Sequence, residues 1–477
     1  MSRGARSRPS ITWQAGAVLL AVATAGPFVF VACGGEETKP PVTPTAPSAS
    51  AAPPPAPTAT VHADVSAAAK AAYARGYAAY TAGDLSAAKQ AFLEASRADA
   101  SAPAPLTALG NVQEHMGDTS GALQQYKAAL AVKSDDVTAI GAYAMCLASS
   151  GQAPQADTFL TSQLAKHPDS APITTFLSEV KSIEGDSATA QQLAQDALRI
   201  NPDFKPAMVA IAHDHYRAKR LELAKYALQA VLDGFGETSP PRDRDNADAH
   251  LIRGLIEENG HLRAAAMADF EAARKSRPDS VEALIHLGVM KLQAGNVLEA
   301  TPVLESAVKF APTSPLAHLN LADAYRLGTR VADAKREFDK ALSMDSSLSV
   351  AHYDMGLLYL FSPNVPGTTA LDQIATAIRE LQTFQSMRGP KPAPGAGDDV
   401  DELLARAQAK QADLKVTPAP TPAPSPPPAP AASAKPSTPA TPAAGSAKPP
   451  ATPSSSAPPA PAGSAKLAPW PADSAKK

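Results

Sequence analysis

His213-Asp214-His215 is the densest group of metal-ligating side chains in the chain. Two imidazoles and a carboxylate are donors that a transition metal takes. On a helix, however, side chains two positions apart point about 200° away from each other, so the two imidazoles cannot chelate as a pair. A solvated or groove-lining role is expected instead. His250, His318 and His352 are separated by multiples of 34 residues, and recurrence at a fixed period favours packing over catalysis. Cys146, within YAMCLA (143–148), reads as a small apolar packing residue. No Gly-rich phosphate loop followed by Lys-Ser/Thr occurs, and no HExxH, GxSxG or CxxC. The expectation is therefore no catalytic residue, no metal and no cofactor.

The other cysteine, Cys33, has a different setting. Arg3, Arg6 and Arg8 precede a run from Ala15 to Ala32 that carries no charge. These are the n-region and h-region of an export signal. An uncleaved membrane helix is the alternative, since the 18-residue run is near the lower limit for spanning. Val31-Ala32-Cys33-Gly34 resembles a bacterial lipobox, in which the cysteine is lipidated and becomes the first residue of the mature protein. Phe30 stands where that pattern usually has Leu. Either reading puts the bulk of the chain outside the cytoplasm, because the arginines stay inside. Gly34 and Gly35 follow the cysteine with no Asp after it, which by likeness to Gram-negative sorting implies the outer membrane, lipid-anchored and periplasm-facing. A Cys33–Cys146 disulfide would need Cys33 unlipidated and is discounted.

The elements that would position any site are bounded by proline. The 47 prolines crowd into roughly 38–57 and 416–471, which lack the apolar periodicity needed to offset chain entropy. Both read as linkers. The folded part, 64–415, carries 34 Lys/Arg against 43 Asp/Glu, a balance of −9 that argues against nucleic acid as a partner. The tail is weakly basic, +4, and repeats SAK four times. Trp470 lies in this tail and Trp13 in the signal, so the folded part has no tryptophan.

Glycines 83, 117, 151 and 185 step by 34 residues, as do alanines 88, 122, 156, 190 and 224. Phe92, Tyr126, Leu160, Ala194 and Leu228 keep the same step. After an eight-residue insertion the phase resumes with Gly254, Gly288, Ala322 and Gly356, and with Phe270, Leu304 and Phe338. Each unit reads as a helix, a Gly turn in the left-handed conformation, and a second helix. Small residues let the pair cross closely beside a bulky one. Proline then blocks continuation, and Asp or Ser beside it, as in NPD (201–203) and RPDS (277–280), is placed to cap the next helix. Such pairs cannot bury their faces alone and must stack.

This pattern resembles the tetratricopeptide repeat (TPR) family. Nine units start near residues 69, 103, 137, 171, 205, 247, 281, 315 and 349. Lys219 stands at the fifth unit's turn, and FSPNVPG (361–367) breaks the ninth. The expected fold is all-α, a solenoid of about nine helix pairs with a C-terminal capping helix, flanked by disordered Pro/Ala-rich segments. The expected organisation is a signal peptide over 1–32, a tether over 33–63, the solenoid over 64–390, the capping helix over 391–415 and the tail over 416–477. The resemblance implies a concave partner groove lined by the first helix of each unit. Its positions fall on Tyr73, Tyr77 and Tyr80, then Leu251, Leu255, Ile285, Val289, Leu292 and Leu319, then Tyr353, Leu357 and Leu360. Apolar anchors of this kind suit a helix or extended peptide; the alternative is a strongly wound solenoid in which they pack on each other. The carboxylate-clamp subtype is not expected, since only Asn111 matches its positions.

Lipobox, linker, nine units and the segment GLLYLFSPNVPG…LQTFQSMRGP (356–390) together look like the gliding-motility TPR lipoproteins of myxobacteria. That resemblance implies an outer-membrane subunit of an envelope-spanning motility complex. The expected role is a non-enzymatic, membrane-anchored scaffold binding other envelope proteins, and the extended length of the proline-rich tail would let it reach the peptidoglycan. A pilus or secretin assembly lipoprotein and an activator of cell-wall synthesis are the alternatives. Neither nucleic acid nor a small-molecule substrate is expected.

Overall fold

The computed structural model describes residues 66–388 and 399–416. The lipobox with Cys33, the tether and the tail lie outside the described residues. Nineteen α-helices make up the described part, with no strand among the described residues.

Five helix pairs precede the insertion. They are α1 (Ala67–Thr81) and α2 (Leu85–Ala98), α3 (Pro103–His115) and α4 (Thr119–Val132), α5 (Val137–Ser149) and α6 (Ala153–Lys166), α7 (Ala171–Ile183) and α8 (Ser187–Ile200), and α9 (Lys205–Arg217) and α10 (Leu221–Leu232). Four follow it. They are α11 (Ala247–Asn259) and α12 (Arg263–Ser276), α13 (Val281–Gln293) and α14 (Val297–Phe310), α15 (Pro315–Leu327) and α16 (Val331–Met344), and α17 (Ser349–Phe361) and α18 (Ala370–Met387). A last helix, α19 (Val400–Val416), closes the stack. The fold is an all-α solenoid of nine stacked helix pairs closed by a C-terminal helix.

Local chemistry explains the boundaries. The side chains of Asp84, Asp118 and Asp186 accept from backbone N–H groups of Ala87, Gly121 and Thr189, capping α2, α4 and α8. Asp136, Ser170, Asn246 and Ser314 cap first helices in the same way. The turn inside each pair needs one residue in the left-handed region. Gly83, Gly117, Gly151, Gly185 and Gly295 supply it, but Lys219, His261 and Thr329 take the same place at φ near +60°. The caps expected from NPD and RPDS do not form. No side chain caps α9, where Asp203 pairs with Lys205 instead, and Asp279 is drawn away to another partner described below.

Within a pair, the two helices cross at a residue too small to keep them apart. A Cβ on Gly110 would sit 2.3 Å from the ring of Tyr126, and one on Gly254 would sit 2.7 Å from Phe270. The stepping alanines 88, 122, 156, 190, 224, 266, 300 and 334 have no exposed surface, nor do Phe92, Tyr126, Leu160, Leu228, Phe270, Leu304 and Phe338. This buried apolar seam runs unit to unit and drives the stacking. At its end Val400, Leu403, Leu404 and Ala407 of α19 bury against the last pair, and the rest of that helix is mostly polar and exposed. Among the described residues no helix is long and apolar enough to cross a membrane.

Candidate functional site

First helices touch the first helix of the next unit (α3 with α5, α5 with α7, α7 with α9, α9 with α11, α13 with α15, α15 with α17). Second helices do not meet each other in this way. The first helices therefore form the inner wall of the curve.

Curvature brings the ends of the early units against later ones. The hydroxyl of Tyr80, at the end of α1, donates to the carboxylate of Asp279 in the turn between α12 and α13. The same hydroxyl lies 2.7 Å from Nε2 of His115, whose Nδ1 is 2.9 Å from the carbonyl oxygen of Phe310. The rings of Tyr80, His115 and Phe310 pack together at 5.4–6.3 Å. Gly117 and Thr313 meet so closely that a Cβ on Gly117 would overlap the threonine. Burial first, and then the Asp279 charge, push the Tyr80 phenol far above its usual pKa, so it stays a donor. The solenoid thus completes a turn and latches onto itself. Nothing in the residue types at Asp279 or Phe310 marks this role in the sequence.

In the middle units the inner wall is polar. Glu179 of α7 receives His213 at 3.0 Å and Arg217 at 2.8 Å from α9. Burial acts to raise the Glu179 carboxyl, but the contacts with His213 and Arg217 prevail and hold it below the usual carboxylate range. Glu258 meets His286 at 2.7 Å, and the imidazole stacks on Phe270. The three histidines that share a repeat position all find an acid on the second helix of their pair. His250 lies 2.7 Å from Asp269, His318 is 2.6 Å from Glu337, and His352 is 2.8 Å from Glu380. They tie each helix pair together.

The metal-like cluster comes apart as its spacing requires. His213 reaches to Glu179, while Asp214 is buried and accepts from Ser187, Gln191 and Arg220. Burial, then Arg220, lower the pKa of His215. Among the described residues no group of three or more His, Cys, Asp or Glu could hold a metal ion. Cys146 is buried against Tyr126, and burial followed by Glu114 pushes its thiol up to about 12. Asn111 accepts from the Tyr126 hydroxyl at 2.6 Å.

The twelve apolar wall residues divide by burial. Tyr73, Tyr80, Leu251, Leu292, Leu319, Leu357 and Leu360 are buried among their neighbours. Tyr77, Leu255, Ile285, Val289 and Tyr353 are half-buried. Tyr353 donates to Asp399 at 2.9 Å and packs on Phe384. Leu255, Ile285 and Val289, on α11 and α13, make up the apolar stretch of inner wall with surface left to offer.

Sequence comparison agrees with this architecture. Tetratricopeptide repeat families match residues 113–179 and 258–315. The chain carries TPR repeats, which point to protein partners. Among solved structures it is similar to the APC/C hetero-tetramer Cut9–Hcn1, at 14% identity and TM-score 0.44, over 71% of this chain and 76% of that one. A tetratricopeptide repeat protein from Parabacteroides merdae ATCC 43184 is similar at 16% identity and TM-score 0.27, over 72% and 99%. A human IFIT1 dimer with PPP-AAAA is similar at 13% identity and TM-score 0.37, over 74% and 92%.

Proposed function

We propose that the chain is a non-enzymatic scaffold, tethered by a lipid on Cys33 to the periplasmic face of the outer membrane, that gathers other proteins of an envelope-spanning machine, foremost a gliding-motility complex. One observation supports the scaffold role above the rest. The first helices of successive pairs line one continuous wall, and Leu255, Ile285 and Val289 leave apolar surface on it beside the Glu258–His286 pair. A helical or extended segment of a partner lays apolar side chains on such a stretch and gains specificity from the polar groups at its border. The tether and the motility assignment rest on the resemblances at Val31–Gly34 and at 356–390. The Pro/Ala/Lys tail would then lie toward the peptidoglycan.

A photo-crosslinking amino acid at Leu255, Ile285 or Val289 in the producing cell tests the wall, and a clickable fatty acid tests Cys33. The expected result is crosslinks to motility-complex proteins, with fatty-acid labelling that Cys33→Ala abolishes. Recovery of peptidoglycan alone would remove the scaffold reading. Labelling that survives Cys33→Ala would remove the anchor.

A further inference from the structure

The outer faces of the second helices carry scattered large apolar side chains, such as Leu298 on α14 and Leu371 on α18, but among the described residues only α10 groups two of them on one face. At two outward positions three residues apart, seven other units carry Ala87 and Gln90, Gly121 and Gln124, Gln155 and Thr158, Thr189 and Gln192, Ala265 and Ala268, Glu299 and Pro302, and Asp333 and Arg336. The fifth unit carries Leu223 and Tyr226 there, 51% and 64% exposed. Residues three apart on a helix share a face. The insertion that follows α10 adds a third side chain. Phe235, 41% exposed, packs its ring 5.0 Å from that of Tyr226. Leu223, Tyr226 and Phe235 thus form an apolar and aromatic patch on the convex side, away from the inner wall.

We propose that this patch docks the chain's own C-terminal segment Leu467–Trp470. Three features of the chain select that occupant. Beyond Val416 the tail holds only two large apolar side chains, Leu467 and Trp470, and Pro469 and Pro471 flank the tryptophan. Proline-rich segments carrying an aromatic residue suit exposed aromatic rings, which offer a flat face to both ring types. Charge agrees, since the folded part carries −9 and the tail +4, and exposed Glu237 stands two residues from Phe235. Length agrees too. Trp470 lies 54 residues beyond Val416, which allows a span of at most roughly 180 Å. Nine helix-to-helix steps separate α19 from α10, about 70–90 Å along the stack. A covalent connection raises the local concentration of the segment above that of a free peptide, so a weak contact is enough to fill the site. The docking stands apart from the scaffold reading, because it uses neither the inner wall nor the anchor.

The full chain supplies its own probe. With Trp13→Phe, Trp470 is the single tryptophan. The expected result is blue-shifted Trp470 emission and acrylamide quenching several-fold weaker than that of a synthetic 460–477 peptide. Tyr226→Ser and Phe235→Ser, each at an exposed position, should both raise quenching to the peptide's level with helicity unchanged. Leu298→Ser, 92% exposed in another unit, should leave it protected. Quenching in the parent chain equal to the peptide's overturns the proposal, as does protection that survives both patch substitutions. Protection lost on dilution overturns it in favour of a second copy's tail.

Discussion

The phenol of Tyr80, in the first helix, donates a hydrogen bond to the carboxylate of Asp279, 199 positions later. Tyr80 has no exposed surface and Asp279 is 4% exposed; the phenol reaches Oδ2, and Oδ1 has no hydrogen-bond partner. Tyr80→Phe therefore removes the main donor to a buried carboxylate while keeping the ring's packing. A hydrogen bond to a charged group contributes about 2 kcal/mol, and the orphaned carboxylate adds desolvation cost. Hydrogen exchange should quicken in α1–α4 and in the 277–280 turn, while α5–α8 stay protected. Uniform exchange across the solenoid would mean that the closure is not a separate cooperative contact.

The crossing inside each pair makes a second prediction. Gly110→Ala puts a methyl where the Tyr126 ring already lies, 2.3 Å away, and Tyr126 is pinned by Asn111 and Glu114. The helices must separate, at a cost of about 1–3 kcal/mol. The denaturation midpoint should fall with an unchanged denaturant slope. Gly151→Asn, at a left-handed turn with open space around its Cβ, is the milder control.

Thr329 offers the opposite sign. It is exposed at φ +61°, a left-handed conformation poorly suited to a β-branched residue, while its neighbour Gly328 spends its freedom at φ −80°. Thr329→Gly should stabilise by about 1 kcal/mol after the entropy of the added glycine is subtracted. His261→Gly should behave alike. Lys219→Gly should gain less, because the ammonium of Lys219 lies 5.5 Å from the centre of the Tyr216 ring. Thermal unfolding of the three variants gives the ranking, and a loss of stability in Thr329→Gly would show that the turn is not strained.

The helix register was legible because a 34-residue step in alanines and bulky residues leaves only one way to pair the helices. Asp84, Asp118 and Asp186 cap as Asp at such a position should. The self-latch was not legible. It depends on curvature summed over six units, and small changes in each crossing move Asp279 far from Tyr80 without altering any local pattern. RPDS reads as a cap for the same reason, since nothing nearby in sequence reveals the competing donor. The apolar wall positions fall on first helices, and their exposure depends on how tightly neighbouring first helices close. Leu357 and Leu360 are covered in the apolar cluster that α19 completes, which no single unit announces.

Glu257 sets a pH dependence. Burial, and then the neighbouring Asp269 carboxylate, push its pKa up to about 7 from a usual 4.5, against the opposing pull of Arg253 and Lys225. Its Oε2 is buried without a partner. Below pH 4.5 the carboxyl is protonated in both folded and unfolded chains and costs nothing. Between about 4.5 and 7 the unfolded chain releases a proton that the folded chain keeps, so this group lowers stability as pH rises. Above 7 both forms are ionised and the cost is constant. Glu257→Gln removes the ionisation while keeping the shape. Its melting temperature relative to the parent should climb through that window and level off above it. Thermal melts at several pH values follow the difference directly, and a difference that stays flat between pH 4.5 and 7 would place the Glu257 carboxyl at its ordinary pKa.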